Sequence, residues 1–290
     1  MAVRPRFAFC RGSVIPFSEA TVPIDDRGLQ FGESLYEVIP VTAGEPRLLT
    51  EHVARMQASL PHVGLSTEAG GVPPLEEWQR LAAELIKLEG IRDGLMYAQL
   101  TGGAAPRLHV PKESPEPVFW AYVYPFVYPT AADVARGVRA ITTADMRWGR
   151  TDLKTTMLLA NVLAKREASS QGASEAFFVG DTGEVYEGAS SNLIIVEGRT
   201  LITPVQSSHL LPGTMRPMVE LAAREAGLAV SHWPIDVDRL RAAEEVFVTS
   251  TSQLVMPIVA VDGRTIGSGE GGHFSRDLAA RIRARFGLPD

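Results

Sequence analysis

"TDLKTTMLLANVLAKREASSQG", residues 151–172, decides how the rest of the chain is read. Met157, Ala160, Ala164 and Ala168 recur at three-and-four spacing, with Leu159 and Leu163 beside them, which predicts one helix through most of the stretch. Thr155 or Thr156 is placed to cap its start, and Gly172 suits the left-handed residue just past its end. Lys165 and Arg166 lie in the C-terminal half, where cations complement the helix dipole. Lys154 breaks the pattern. It falls at or just before the expected start, where a cation is disfavoured. A helix N-terminus and partial desolvation both favour a neutral, nucleophilic amine, which makes Lys154 a candidate Schiff-base lysine. Bringing a lysine from about 10.4 to near 7 takes roughly 4–5 kcal/mol, whereas a helix terminus supplies only about 0.3–1 kcal/mol. Burial, or capture by an aldehyde cofactor, has to supply the rest. The competing reading is a surface lysine whose stem covers apolar neighbours.

With 290 residues the chain is long enough for two domains, each with its own core. Its 45% hydrophobic and 21% charged residues are those of an ordinary soluble globular protein. A net charge of −6 and a pI near 5.6 argue against nucleic-acid binding, and no basic run contradicts them. Cys10 is the single cysteine, which excludes disulfide frameworks and cysteine-rich zinc sites. Arg11 interrupts the apolar start, so "MAVRPRFAFCRGSV" does not read as a signal peptide. "FWAYVYPFVY" is too short to span a bilayer and contains Pro125. The expected location is the cytoplasm.

Outward from the lysine stretch, the pattern is α+β in two domains. "FAFCRGSVIP" and "LYEVIPVTAGEPRLL" read as strands, the second turning at Ala43-Gly44-Glu45. "LTEHVARMQASLPHVG" reads as a helix opening at Thr50. "LEEWQRLAAELIKLEG" is a clearer one, with Leu75, Trp78, Leu81, Ala82, Leu85 and Leu88 in a stripe ended by Gly90. "GLMYAQLTGG" and "PVFWAYVYPF" read as strands. Pro125 and Pro129 mark the boundary: a small N-terminal α/β domain over 1–124, a linker over 125–131, and a larger strand-rich domain over 132–290. The larger domain begins with the strand "GVRAITTADMRW". Its hairpins turn at Gly180 to Gly183, at Glu197-Gly198 and at Asp262-Gly263. Two helices follow, "GTMRPMVELAAREAGL" and the basic "FSRDLAARIRARFG". Gly267, Gly269 and Gly272 satisfy G-x-G-x-x-G, but the segment follows a hairpin and too little chain remains for a dinucleotide-binding unit.

Gly213 and Thr214 open a helix whose bare amides and positive dipole end suit an anion; simple capping is the other use of such a pair. "VTSTS", over 248–252, adds hydroxyls and amides at a strand end, and Arg55 is a cation that could face the same anion. The absence of a Walker pattern points to a single small phosphate. Glu187, ahead of small residues and Asn192, is a carboxylate that could hold a heterocyclic nitrogen protonated; an exposed hairpin glutamate is the commoner fate. Arg107 and His109 point the same way if their segment is extended, as a pair that grips a carboxylate, and the Tyr36 hydroxyl could join them. No histidine pattern suggests a metal.

In this order along the chain, the blocks "VPIDDRGLQFGESLYEV", "EHVARM", "YAQLTGGAAPRLHVP", "DLKTTMLLANVLAKREA", "YEGASSNL", "LLPGTMRPMV" and "VFVTSTSQLVMPI" resemble the fold-type IV pyridoxal-phosphate enzymes, and most of all the D-amino-acid transaminase group. The resemblance implies pyridoxal 5′-phosphate as cofactor, with Lys154 as the Schiff-base and proton-transfer lysine and Glu187 at the ring nitrogen. Arg55, Thr214, Met215 and Thr251 would hold the phosphate, and Leu211 would pack on the ring. Ser190, Ser191, Asn192, Gly213 and Ser250 would complete the cofactor's surroundings. Arg107, His109 and Tyr36 resemble the group's carboxylate trap, which serves a site near a homodimer interface. The implied reaction is ping-pong transamination between a D-amino acid, of D-alanine or D-glutamate type, and a 2-oxo acid. Branched-chain L-amino-acid transaminase, (R)-amine transaminase and aminodeoxychorismate lyase are the alternatives within the family. The chain departs from the group at Gly102, where an arginine is usual, at Ser34 and at Ala189, each of which would alter pocket width or polarity.

Overall fold

Period-two burial builds the first sheet. Leu35, Ile39 and Val41, Met96, Ala98 and Leu100, and Phe119, Ala121 and Val123 all turn to one face and are buried there. They belong to β3 (Ser34–Thr42), β5 (Gly94–Thr101) and β6 (Val118–Pro125). With β1 (Phe7–Cys10), β2 (Ser13–Pro16) and β4 (Glu45–Pro46) these form an antiparallel sheet ordered β2-β1-β6-β5-β3-β4. Helices α2 (Leu49–Ser59) and α3 (Leu75–Glu89) cover that face with Val53, Met56, Trp78, Leu81 and Leu85. Fully burying a side chain such as Leu81 or Leu85 contributes about 1.5–3 kcal/mol. Leu88, at the edge of the expected stripe, is exposed, and Gly90 ends α3 at φ 67°. Helix α2 opens at Leu49 after a left-handed Leu48, so Thr50 lies inside it rather than capping it. Ala43 and Gly44 both take positive φ, 53° and 79°, which is the hairpin geometry that joins β3 to β4.

The computed structural model describes residues 4–65 and 72–289, so residues 1–3 of the stretch read for a leader lie outside the described residues. The chain forms two compact units: Met1–Val127 with Leu153–Met157, and Tyr128–Asp152 with Leu158–Asp290. The second unit holds a mixed sheet ordered β12-β11-β10-β13-β14-β7-β8-β9. Its strands are β7 (Val138–Ala144), β8 (Glu175–Val179), β9 (Val185–Gly188), β10 (Asn192–Glu197), β11 (Thr200–Thr203), β12 (Ala229–His232), β13 (Glu245–Ser250) and β14 (Leu254–Val261), with β15 (Arg264–Thr265) paired to β14. Parallel pairing occurs at β7 with β8, β7 with β14 and β11 with β12. Helices α5 (Leu159–Ser170), α6 (Met215–Glu225) and α8 (His273–Arg285), with the shorter α1 (Arg27–Phe31), α4 (Ala131–Arg136) and α7 (Val237–Ala242), complete the set. The glycine turns predicted at Gly183, Gly198 and Gly263 carry positive φ. The Gly267–Gly272 loop leads into α8, where the Glu245 carboxylate accepts from the Phe274 and Ser275 amides at 2.8 Å. The anion at that helix start is a side chain of the chain itself.

One expectation needs correction. The helix of the lysine stretch runs only over Leu159–Ser170, preceded by Leu158 without a side-chain cap, so neither Thr155 nor Thr156 caps it. The cause is non-local. The Tyr36 amide donates to the Lys154 carbonyl at 3.1 Å, the Thr156 amide donates to the Ser34 carbonyl at 3.3 Å, and Leu35 bridges Thr155. Residues 154–156 are held as an extended addition to β3, which competes with helix formation for the same backbone groups. Gly172 is left-handed as expected, at φ 69°. Only Ala164 and Ala168 of α5 are buried, while Leu159, Val162 and Leu163 face outward.

Candidate active site

Lys154 lies on the face of the first sheet opposite its helices. Its position five residues ahead of α5 removes the helix-dipole argument made for it. Its Nζ stands 4.3 Å from the centroid of the Tyr36 ring, within range of a cation–π contact. Tyr36 begins an aromatic row on that face, stacking on Tyr97 at 5.6 Å, with Tyr97 in turn on Trp120 at 5.3 Å and Tyr122 at 5.4 Å. Burial raises the Tyr97 pKa, with Tyr36 and Tyr122 adding to it, so its hydroxyl stays protonated and donates to Gln99 Oε1 at 2.8 Å. Gln99 Nε2 donates to Ser34 Oγ at 2.8 Å. The serine at this departure from the family pattern therefore anchors a glutamine that orients Tyr97.

On the helix-covered face, Glu37 is fully buried and ties down Arg55. Arg55 Nε donates to Glu37 Oε1 at 2.8 Å and Nη2 to Oε2 at 2.5 Å, while His52 Nδ1 lies 2.6 Å from Oε2. Burial pushes the His52 pKa down, so the ring is neutral and its Nδ1–H donates to the carboxylate. For Glu37 burial acts upward, but Arg55 and His52 overcome it and hold the carboxyl at about 2. The pair sets the guanidinium's orientation.

A pH prediction follows from the sign of that shift. The folded carboxyl titrates near 2 and an unfolded glutamate near 4.5, so the pair stabilises the fold above pH 4.5 and this contribution is lost as pH falls toward 2. The loss is on the order of 3 kcal/mol at roughly 1.4 kcal/mol per unit. Urea denaturation at stepped pH should show it in the wild type and not in Glu37→Gln, which starts lower and stays flatter. Parallel curves for the two proteins would refute the account.

Arg107 and His109 are brought together, though not by extended backbone. The Leu108 amide turns back to the Pro106 carbonyl at 2.7 Å, and both side chains instead pack on the Phe31 ring. The Arg107 guanidinium lies 5.2 Å from that ring's centroid and the His109 ring 5.6 Å from it. At Gly102 a Cβ would stand 2.3 Å from Glu33 Oε1.

In the second unit Glu187, at the end of β9, is buried and fixed on both oxygens. Oε1 accepts from Arg147 Nη1 at 2.5 Å; Oε2 accepts from Asn192 Nδ2 at 3.2 Å and the Leu211 amide at 3.1 Å. Asn192 also donates to the Leu211 carbonyl at 3.0 Å, and a Cβ on Gly213 would come within 1.8 Å of Asn192 Oδ1. Glu187, Asn192, Leu211 and Gly213 thus form one assembly. Arg147 is the member that sequence reasoning missed. It donates to Asp145 through Nε and Nη2 at 2.9 Å each, reaches the His209 carbonyl at 3.2 Å, and lies over Phe178 at 4.2 Å. Burial favours its neutral form, but Asp145 and Glu187 hold its pKa above the ordinary arginine value.

Ser191 Oγ donates to Glu175 Oε2 at 2.7 Å, and Ser190 Oγ to the same oxygen at 3.4 Å. Ala189 is buried against Ala164, Ala168 and Phe178. Thr214 precedes α6 without a side-chain cap bond to it, and Met215 begins the helix. Ser250 ends β13, its hydroxyl accepting from the Gln253 amide at 3.2 Å, and Thr251 follows in the turn to β14. In the first turn of α6, Arg216 Nη2 donates to Gln206 Oε1 at 3.0 Å, whereas Nη1 is buried with no acceptor among the described residues. An unmatched guanidinium N–H beside Thr214 and Met215 fits a phosphate in chemistry.

The family model for class IV aminotransferases matches residues 34–261, and the chain belongs to that family. It is 36% identical to a D-alanine aminotransferase of Bacillus licheniformis over 94% of each chain. It is 35% identical to a D-alanine aminotransferase of Staphylococcus haemolyticus over 93% of this chain and 94% of that one. Among solved structures, a T.th. branched-chain amino acid aminotransferase with pyridoxamine 5′-phosphate superimposes with a TM-score of 0.89 at 26% identity, covering 99% of this chain and 96% of that one. The chain is an aminotransferase of fold type IV, and its cofactor is pyridoxal 5′-phosphate. No helix among the described residues is long and apolar enough to cross a membrane.

Proposed function

We propose that this enzyme transfers the amino group of a D-amino acid, of D-alanine or D-glutamate type, to a 2-oxo acid in a ping-pong cycle. The observation that carries the reading is the Arg107–His109 pair seated on Phe31, a cation and a second donor presented together to a carboxylate. The D-alanine aminotransferases matched along nearly the whole chain support the choice of amino acid. Lys154 would hold the cofactor covalently through Nζ; once the substrate's amine has displaced it, the freed Nζ would take the substrate's α-proton and hold it for return. Bound pyridoxal phosphate supplies an electron sink for the pair left on the α-carbon. Glu187 holds the ring-nitrogen proton, with Arg147, Asn192 and Leu211 fixing its carboxylate. Arg55, Thr214, Met215, Ser250 and Thr251 receive the phosphate. Ser190, Ser191, Asn192, Leu211 and Gly213 shape the cofactor's surroundings, and Tyr36 joins the carboxylate clamp.

We place the enzyme in the cytoplasm as a homodimer. Leu159, Val162 and Leu163 form an exposed apolar row on α5, and Ile24 and Val110 are strongly exposed in the first unit. Such surface on a soluble enzyme suits a second copy of the chain.

The branched-chain reading has support from the structural neighbours, so the test is a substrate panel. Steady-state rates with D-alanine, L-leucine and 1-phenylethylamine against one 2-oxo acid should rank D-alanine first. Fast turnover of L-leucine with none of D-alanine would overturn the assignment.

A further inference from the structure

We infer that Arg27 is a positioning residue for the carboxylate clamp, holding the Arg107–His109 loop by its backbone while Phe31 supports the two clamp side chains. The inference rests on the clamp reading above and extends it to residues that touch no substrate.

Residues 106–110 are all exposed, so side-chain burial does not hold them. Arg27 does. It is itself only 5% exposed. Nη1 donates to the Leu108 carbonyl at 2.8 Å and Nη2 to the His109 carbonyl at 3.0 Å, the two carbonyls that follow Arg107. Nε donates to Glu33 Oε2 at 2.8 Å, so the guanidinium is balanced and oriented by a carboxylate. Its Cζ lies 4.9 Å from the Phe31 centroid, the same ring that carries Arg107 and His109.

The base of the loop is fixed to the same segment. The Arg27 amide donates to the Gly103 carbonyl at 2.8 Å, and the Ala105 amide to the Asp25 carbonyl at 3.3 Å. Thr101 Oγ1 donates to Asp26 Oδ2 at 2.7 Å. Gly102 lies beside this arrangement, since a side chain there would press on the other oxygen of the Glu33 carboxylate. Two rigid planes, one guanidinium and one ring, therefore define where the clamp stands. Lysine cannot replace the arginine, since one ammonium lacks the fork that reaches two carbonyls and a carboxylate together.

The test is a double-mutant cycle on the holoenzyme, with the amino acid that the substrate panel ranks fastest. Arg27→Lys should raise KM about 10-fold with kcat nearly unchanged, because a lost pre-organised binding contact weakens ground and transition states alike. The visible spectrum of the resting enzyme should not move. Arg107→Ala should raise KM by about 10- to 100-fold, and adding Arg27→Lys to it should raise KM by clearly less than it does in the wild type, since only His109 is then left to position. Effects that multiply would show that Arg27 acts on the enzyme generally, and would overturn the inference. If Arg107→Ala leaves KM as it was, the clamp reading itself fails, whatever Arg27 does. Should Arg27→Lys give no cooperative melt, Glu33→Gln decides: a rise in KM that shrinks in the Arg107→Ala background is expected, and an unchanged KM refutes the role.

Discussion

Lys154→Ala will abolish transamination while leaving the fold's stability within about 1 kcal/mol of wild type. The two halves of that expectation have separate causes. The segment is held through backbone groups, by the Tyr36 amide on the Lys154 carbonyl and the Thr156 amide on the Ser34 carbonyl, and alanine keeps both bonds. What goes is one half-buried amine and its contact with Tyr36. Loss of general acid–base catalysis alone lowers the rate by about 10²–10⁴, and loss of covalent capture of the cofactor adds to that. Lys154→Arg sharpens the test. It keeps the charge and the stacking on Tyr36, but a guanidinium does not give up its proton near neutrality. Both variants should lack the visible band of the lysine-bound cofactor, and both should be inactive. Substantial turnover by the arginine variant would mean that charge, not proton transfer, is what the position supplies.

That prediction was open to a reader of the sequence, but for a reason the structure changes. Lys154 stood out as a cation at a helix start, yet the helix begins later because β3 captures the backbone of residues 154–156. Periodicity sees neighbours in sequence, and the competing bonds come from residues more than a hundred positions away. Where the signal is local it holds: the Trp78–Leu85 stripe and the turns at Ala43-Gly44, Gly183 and Gly198 are written in spacing and in glycine. The same divide runs through the candidate site. Glu187, Asn192 and Gly213 are conspicuous as a carboxylate, an amide and a glycine in small-residue surroundings. Arg27, Glu37 and Arg147 look like surface charges until tertiary contacts bury them. A faint signal existed for Arg147: Asp145 and Arg147 are two apart beyond a strand, which places them on one side of extended chain.

Removing that arginine should produce the largest stability loss in the second unit. Asp145 and Glu187 are both almost fully buried, with side-chain exposures of 7% and 6%, and Arg147 is the cation that holds them together. Arg147→Met keeps much of the volume and removes the charge, leaving two desolvated carboxylates without the cation they share. Breaking a buried pair in this way costs about 3–5 kcal/mol, against at most about 1 kcal/mol for an exposed one. The contrast can be made within the same loop, since Arg150 pairs with Asp152 at 2.9 Å with 41% and 26% of the two side chains exposed. Arg150→Met should shift the melting temperature by only a few degrees, and Arg147→Met by on the order of 10 °C. The pH dependence fixes the mechanism. Without the guanidinium, burial and mutual repulsion raise the carboxyl pKa values above their unfolded values of about 4. A raised folded pKa means that stability is present below that pH and is lost as pH rises through the folded value. The deficit of Arg147→Met should therefore be small near pH 4 and grow toward neutrality, whereas a deficit caused by poor packing would be constant. Denaturation curves at pH 4 and pH 7 separate the two, and a constant deficit would remove Arg147 from the electrostatics of Glu187.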